Sequence, residues 1–162
     1  MPGCARRGAH PLPGACLLYT SVKQISVFLE NKKGRLAKLT RVLGETGIDL
    51  IALSIADTTD YGILRCIVSD TDKALQVIKQ AGMTASVTEV LAVAVPDEPG
   101  GLNRVMTLLD QEGISVEYLY SFVRTSCDDA LILFRVEELD RAIQAIQKGG
   151  IRVLTQQDID QM

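Results

Sequence analysis

Few side chains of this 162-residue chain stand in a spacing that could support catalysis. The most reactive grouping is Cys127 beside Asp128 and Asp129. A thiol attacks as its thiolate, and neighbouring carboxylates raise its pKa rather than lower it. The single histidine is His10, so the base that a Cys–His or Ser–His pair requires is missing near it. Glu137-Glu138 and Asp140 read as the cap and first turn of a helix, not as a general acid–base pair. Cys66 lies mid-strand and reads as a small core residue. No CxxC pair occurs, so a thiolate metal site lacks its ligands. The chain is expected to be non-catalytic, with no metal and no cofactor.

Two glycine bends suggest ligand capture instead. They are Asn31-Lys32-Lys33-Gly34-Arg35-Leu36 and Pro96-Asp97-Glu98-Pro99-Gly100-Gly101-Leu102. Glycine lets the backbone turn sharply and come close to a ligand. A helix that starts there exposes unpaired N–H groups and a partial positive charge suited to a carboxylate. Gly34-Arg35-Leu36 and Gly100-Gly101-Leu102 are therefore candidate carboxylate cradles. An α-ammonium needs acceptors, and Asn31, Asp49, Asp97 and Ser115 are expected around each bend and the start of the following strand. The competing reading is that Asn31 and Asp97 only cap helices or turns.

The elements that position these bends are written twice. A shift of 66 aligns Val27 with Val93, Gly34 with Gly100, Leu43 with Leu109, Gly47 with Gly113 and Leu53 with Leu119. After two extra residues near Ser126, a shift of 68 aligns Val68 with Val136, Ala74 with Ala142, Ile78 with Ile146 and Gly82 with Gly150. Each copy reads β-α-β-β-α-β. In the first, strand Ile25–Leu29 leads into a helix with Leu36, Leu39 and Leu43 on one face, ended by Gly47. Strands over Asp49–Ala56 and Tyr61–Val68 flank a turn at Asp57–Asp60, and a helix over Thr71–Ala81 precedes a short strand, Thr84–Val87. This order predicts an α+β fold: two ferredoxin-like domains, 22–88 and 89–162, with antiparallel sheets and helices on one face. Leu64, Cys66 and Val68 can face the helices, which leaves Ile63 and Ile67 on the other face; Leu131 and Leu133 likewise stand opposite Ile132, Phe134 and Val136. Apolar residues on both faces call for a second covering surface: the sister domain, another chain, or both.

Residues Met1 to Ser21 differ from the rest. They carry no acid, three of the five prolines and two of the four cysteines. Cys16-Leu17-Leu18-Tyr19-Thr20-Ser21 resembles the in-frame translation of a transposon end used in preparing sequencing libraries, so the natural chain is expected to start near Val22. Beyond this tail only Cys66 and Cys127 remain, too few for a disulfide framework, and a cytoplasmic location is expected. Net charge is −3 and no apolar run reaches the roughly 18 residues of a membrane span, so neither a nucleic-acid nor a membrane partner is expected. Exposed strand aromatics of the RNA-binding version of this topology are lacking too: Phe28, Tyr61 and Phe134 are scattered.

From Val22 to Ile159 the chain resembles a tandem pair of ACT domains, small-molecule-binding modules that regulate amino-acid metabolism. The resemblance rests on Leu29 to Leu36 followed by Thr46-Gly47-Ile48-Asp49-Leu50, and on Pro96 to Leu102 followed by Glu112-Gly113-Ile114-Ser115-Val116. Lys33 stands where the family more often has proline, which Pro99 keeps, and Ser115 replaces an Asn or Asp. The two potential sites are therefore not equivalent. The resemblance implies a non-catalytic regulatory protein, a homodimer, that binds a free amino acid between domains and acts on a metabolic enzyme. It adds Lys33, Leu50 and Val116 to the candidate residues. The rival expectation is an assembly module that docks or oligomerises without any ligand.

Overall fold

The computed structural model describes residues 20–57, 60–122 and 129–161. His10, Cys4, Cys16, Cys127, Asp128 and the turn residues Thr58 and Thr59 lie outside them. The first half comprises β1 (Val22–Glu30), α1 (Arg35–Glu45), β2 (Leu50–Asp57), β3 (Tyr61–Val68) and α2 (Thr71–Gln80). One strand, β4 (Thr84–Pro96), leads into α3 (Gly101–Gln111), β5 (Val116–Ser121), β6 (Asp129–Val136), α4 (Leu139–Lys148), β7 (Arg152–Leu154) and α5 (Gln156–Asp160).

The alternation read from the sequence sets which side chains each strand buries. Ile25, Val27 and Leu29 of β1 join Leu64, Cys66 and Val68 of β3 under Leu39, Leu43, Ala74 and Ile78 of α1 and α2. In the second half Leu91, Val93 and Val95 meet Ile132, Phe134 and Val136 under Val105, Leu109, Ile143 and Ile146. Each helix presents apolar residues three or four positions apart, which is why these faces and not others turn to the sheet. Thr84–Val87 and Glu89–Val95, which the sequence joins almost without a break, form one strand, β4, because no glycine or proline interrupts the β-branched run between them. A further helix, α5, closes the chain, held by a capping box between Thr155 and Asp158.

β4 therefore fuses the two sheets into one, in the order β2-β3-β1-β4-β6-β5, with β7 also paired to β4. Its first part pairs with β1, Val22 opposite Val90 and Gln24 opposite Thr88; its second part pairs with β6 and β7. Exchanging each residue for its repeat mate, 22 for 88 and 24 for 90, leaves the β1–β4 register unchanged. The halves are thus related by an approximate two-fold axis at the Lys23–Glu89 pair, which keeps all the main helices on one side. The opposite face rolls inward until Ala52 bridges Phe122 just past β5. This interior is packed with Val22, Ile67, Val90, Ala92, Leu131, Leu133 and, from α5, Ile159. The second apolar face required by the sequence is covered here by the sister half. The expected boundary at 88/89 falls inside β4.

One polar residue is fully buried in the join. Gln24 donates through Nε2 to the Tyr118 hydroxyl (2.8 Å), Thr88 Oγ1 (3.1 Å) and Ser26 Oγ (3.2 Å), while its Oε1 accepts from Tyr120 (2.9 Å). Arg65 lies over the Tyr118 ring, 3.9 Å from its centroid. Gln24 thereby ties β1 of one half to β5 of the other.

Candidate functional site

Both predicted bends form, and by the same device. Gly34 (φ 85°) and Gly100 (φ 91°) occupy the left-handed region as N-caps of α1 and α3, and no side chain caps either helix. Asn31 and Asp97 are accordingly not the helix caps; Asn31 instead donates its amide to the Asp60 carbonyl (3.0 Å). The first helical amide is taken up locally, Arg35 by the Lys32 carbonyl (3.2 Å) and Gly101 by that of Glu98 (2.9 Å). Helix geometry leaves the next amides, of Leu36 and Ala37 and of Leu102 and Asn103, without intrahelical partners. A Cβ built on Gly34 or Gly100 would meet nothing within 4 Å, so both bends open outward.

The bends differ in detail. Gly101 is buried, and a Cβ there would lie 2.1 Å from the Pro96 carbonyl oxygen, so the second loop is wound tightly against its helix. Its mate Arg35 instead folds back to hold the Glu30 carboxylate, with Nε at 3.0 Å. This hydrogen bond, with help from Lys32, holds Glu30 below the usual carboxylate range. Arg35 and Leu36, with Ile55 and Gly62, line a cleft of about 150 Å³ beside the first bend. Lys33 and Leu36 are exposed, as are Asp97 and Leu102.

Within one half the candidate residues separate. β2 runs parallel to β1, so Asp49 and Leu50 sit beside Val68 and Ser69, at the end of the sheet opposite the Gly34 bend. The Asp49 amide donates to Ser69 Oγ (3.0 Å), closing that end. Ser115 and Val116 are likewise at the Val136 end, away from Pro96 and Gly100. A ligand at the seam, touching the glycine bend of one half and the second strand of the other, is the arrangement expected from the sequence, and within one half this strand order keeps bend and second strand apart. Across the join the order is different. Ala52 faces Phe122, the Phe122 amide bonds the Leu131 carbonyl (2.9 Å), and Leu131 faces Ala94. Two residues further on, this path reaches Leu50 on one side and Pro96 on the other. The second bend and the start of β2 thus share one end of the molecule, about 14 Å apart at the usual strand spacing.

Cys66 is buried between α1, α2 and the sheet, and burial pushes its thiol up to about 12. Glu138 stands at the N-cap position of α4 with Asp140 in the first turn, but its carboxylate caps no amide and is held by Arg141 instead. No grouping of three or more His, Cys, Asp or Glu fit for a metal occurs among the described residues, and none of their helices is long and apolar enough to cross a membrane. Sequence reasoning missed a cleft of about 620 Å³ between α3 and the α4–β7 turn. Its lining residues Arg104 and Arg152 carry no motif, and only the packing of β7 against β4 brings them together.

A profile describing an ACT domain pair matches residues 20–162. Among solved structures, protein BT0572 from Bacteroides thetaiotaomicron is 37% identical, with a TM-score of 0.83 over 89% of this chain and 99% of that one. The regulatory subunit of aspartate kinase from Thermus thermophilus, in its ligand-free form, is 17% identical, with a TM-score of 0.57 over 78% of this chain and 91% of that one. The corresponding subunit from Thermus flavus, 14% identical, gives a TM-score of 0.53 over 79% and 92%. No curated protein matches the chain. A match over that span places the chain in the family of ACT domain pairs.

Proposed function

We propose that this ACT domain pair is a non-catalytic regulatory protein that senses a free amino acid. The ligand carboxylate is held by the amides exposed at Gly34-Arg35-Leu36 or Gly100-Gly101-Leu102. Polar groups at Asn31, Lys33, Asp49, Asp97 and Ser115, with Leu50 and Val116, complete the surroundings. The single observation that carries this reading is the uncapped start of α1 and α3 at two outward-open glycines. Because the join itself is filled by core side chains, the ligand belongs at its ends, where the second bend and the start of β2 lie together. Likeness to regulatory subunits of aspartate kinase supports a role in controlling a metabolic enzyme. A cytoplasmic setting suits that role.

A thermal-shift screen of the common amino acids at millimolar concentration tests this. Binding stabilises the folded state by mass action, about 2.7 kcal/mol at a hundredfold excess over Kd. The expected outcome is a rise in Tm with one or a few amino acids that is reduced in Gly34→Ala or Gly100→Ala. No rise with any amino acid would remove the sensing role.

The exposed apolar residues Phe28, Tyr61 and Ile63 favour a second reading, a homodimerising or docking module without ligand. Contrary to the expectation that the aromatics are scattered, Phe28 of β1 and Tyr61 of β3 come together on the sheet face away from the helices, their rings 4.9 Å apart, because the β1–β3 register sets them side by side. Association that is tight and indifferent to every amino acid would select it.

A further inference from the structure

The two halves are not built alike on the sheet face turned away from the helices. In the second half, one row across the sheet reads Tyr120, Leu133, Ala92 and Leu154, all buried in the shared interior. The repeat-equivalent row of the first half reads Ser54, Arg65, Ser26 and Ser86, paired in the same register. Where the second half packs its core, the first places three hydroxyls and a guanidinium.

The neighbouring row differs as well. Phe28 and Ile63 are 46% and 40% exposed, whereas their mates Ala94 and Leu131 are 7% and 3% exposed. The cause is incomplete closure. Ala52 bridges Phe122, but no such bridge joins their mates, Tyr118 and Ala56. The interior between the halves is therefore shut at one end and open at the other.

Donors crowd the open end. Gln24 Nε2 donates to Ser26 Oγ and to the Tyr118 hydroxyl, so both hydroxyls accept there and keep their own protons to give. Arg65 lies over the Tyr118 ring and forms no ion pair with any described residue, and a guanidinium on a ring keeps its N–H edge for an acceptor. Neither row carries a carboxylate to take these protons. Phe28 and Ile63 stand two residues along their strands from Ser26 and Arg65, about 7 Å at the usual rise. The tilted Phe28–Tyr61 pair offers an edge and a face to a further ring. An ammonium group would meet the guanidinium with no acid beside it. We propose that this open face binds an aromatic carboxylic acid that lacks an amino group, its carboxylate on Arg65, Ser26 and Ser54, its ring against Phe28 and Ile63. The site is separate from the glycine bends and does not rest on them.

Isothermal titration of the full chain with hydrocinnamate, its neutral amide and L-phenylalanine tests the assignment. Hydrocinnamate is expected to bind at least tenfold more tightly than either of the others. Arg65→Gln should weaken it at least tenfold. Because Arg65 also packs on Tyr118, Ser54→Glu provides a second variant, setting a carboxylate beside the guanidinium while the arginine remains. It should abolish binding. Equal binding of the amide or of L-phenylalanine, no binding of the acid at millimolar concentration, or full affinity in Ser54→Glu would overturn the assignment. A dimer that dissociates in Phe28→Ser and takes up no acid would overturn it too, and would give this face to a second copy of the chain.

Discussion

Gln24 shows how one side chain decides the relation between the halves. Four partners surround its amide, and two of them, Tyr118 and Tyr120, belong to the other repeat. Burial pushes the Tyr120 hydroxyl far above the usual tyrosine range, so it remains a donor that must have an acceptor. Gln24→Leu removes that acceptor without leaving a cavity, and a buried orphaned hydroxyl costs about 1–3 kcal/mol. The expected loss in urea unfolding is of that size. Gln24→Leu combined with Tyr120→Phe should cost less than the two single changes added, because the phenylalanine leaves nothing to orphan. Strict additivity would show that the pair does not couple the halves. The alternation along β1 puts Gln24 on the face away from the helices, yet nothing local reveals that tyrosines 94 and 96 residues away meet it there.

Among the elements, α5 is the one that sequence periodicity did not supply. It has five residues, too short for a repeating apolar stripe, and its place is fixed by Ile159 entering the shared interior and by its N-terminal cap. Burial pushes the Asp158 carboxyl up, but bonds from the Thr155 amide (2.8 Å) and hydroxyl and from Arg152 outweigh this and hold it below the ordinary aspartate range. A carboxylate with a lowered folded-state pKa stabilises the fold at pH values above its unfolded pKa. That contribution is lost as the pH falls through the folded value. Wild type should therefore lose stability relative to Asp158→Asn on acidification from pH 6 to below about pH 4, the ordinary aspartate pKa. Parallel stability-versus-pH curves for the two proteins would show that the cap is not formed. The longer elements were legible because eight or more residues with a consistent period leave few alternatives. The near-unbroken run from Thr84 to Val95 was legible too, whereas the repeat alone does not say that β4 carries on through its own boundary.

At the scale of the molecule, the continuous β4 and the shared interior leave neither half with a core of its own on the inward face. Val90, Ala92 and Leu131 from one half cover Ile67 and Val22 from the other. Heating or urea should accordingly unfold residues 22–162 in one cooperative step, with far-ultraviolet circular dichroism and tyrosine fluorescence changes coinciding. A fragment ending at Thr88 should fail to fold alone. Two resolved transitions, or a stable fragment, would mean that the interior contributes little.

The sequence by itself determined the repeat, the element order, the face each long strand turns to its helices, and the two glycine bends. These follow from period and backbone conformation, which are local properties of the chain. Tertiary structure alone decided that the sheets fuse through β4, that the second apolar face closes on its sister, and that the second bend shares an end of the molecule with the start of β2. It alone opened the cleft beside Arg104 and Arg152. Those outcomes depend on strand lengths and on contacts between residues far apart in the chain, and no local pattern encodes which distant surface will be available to meet.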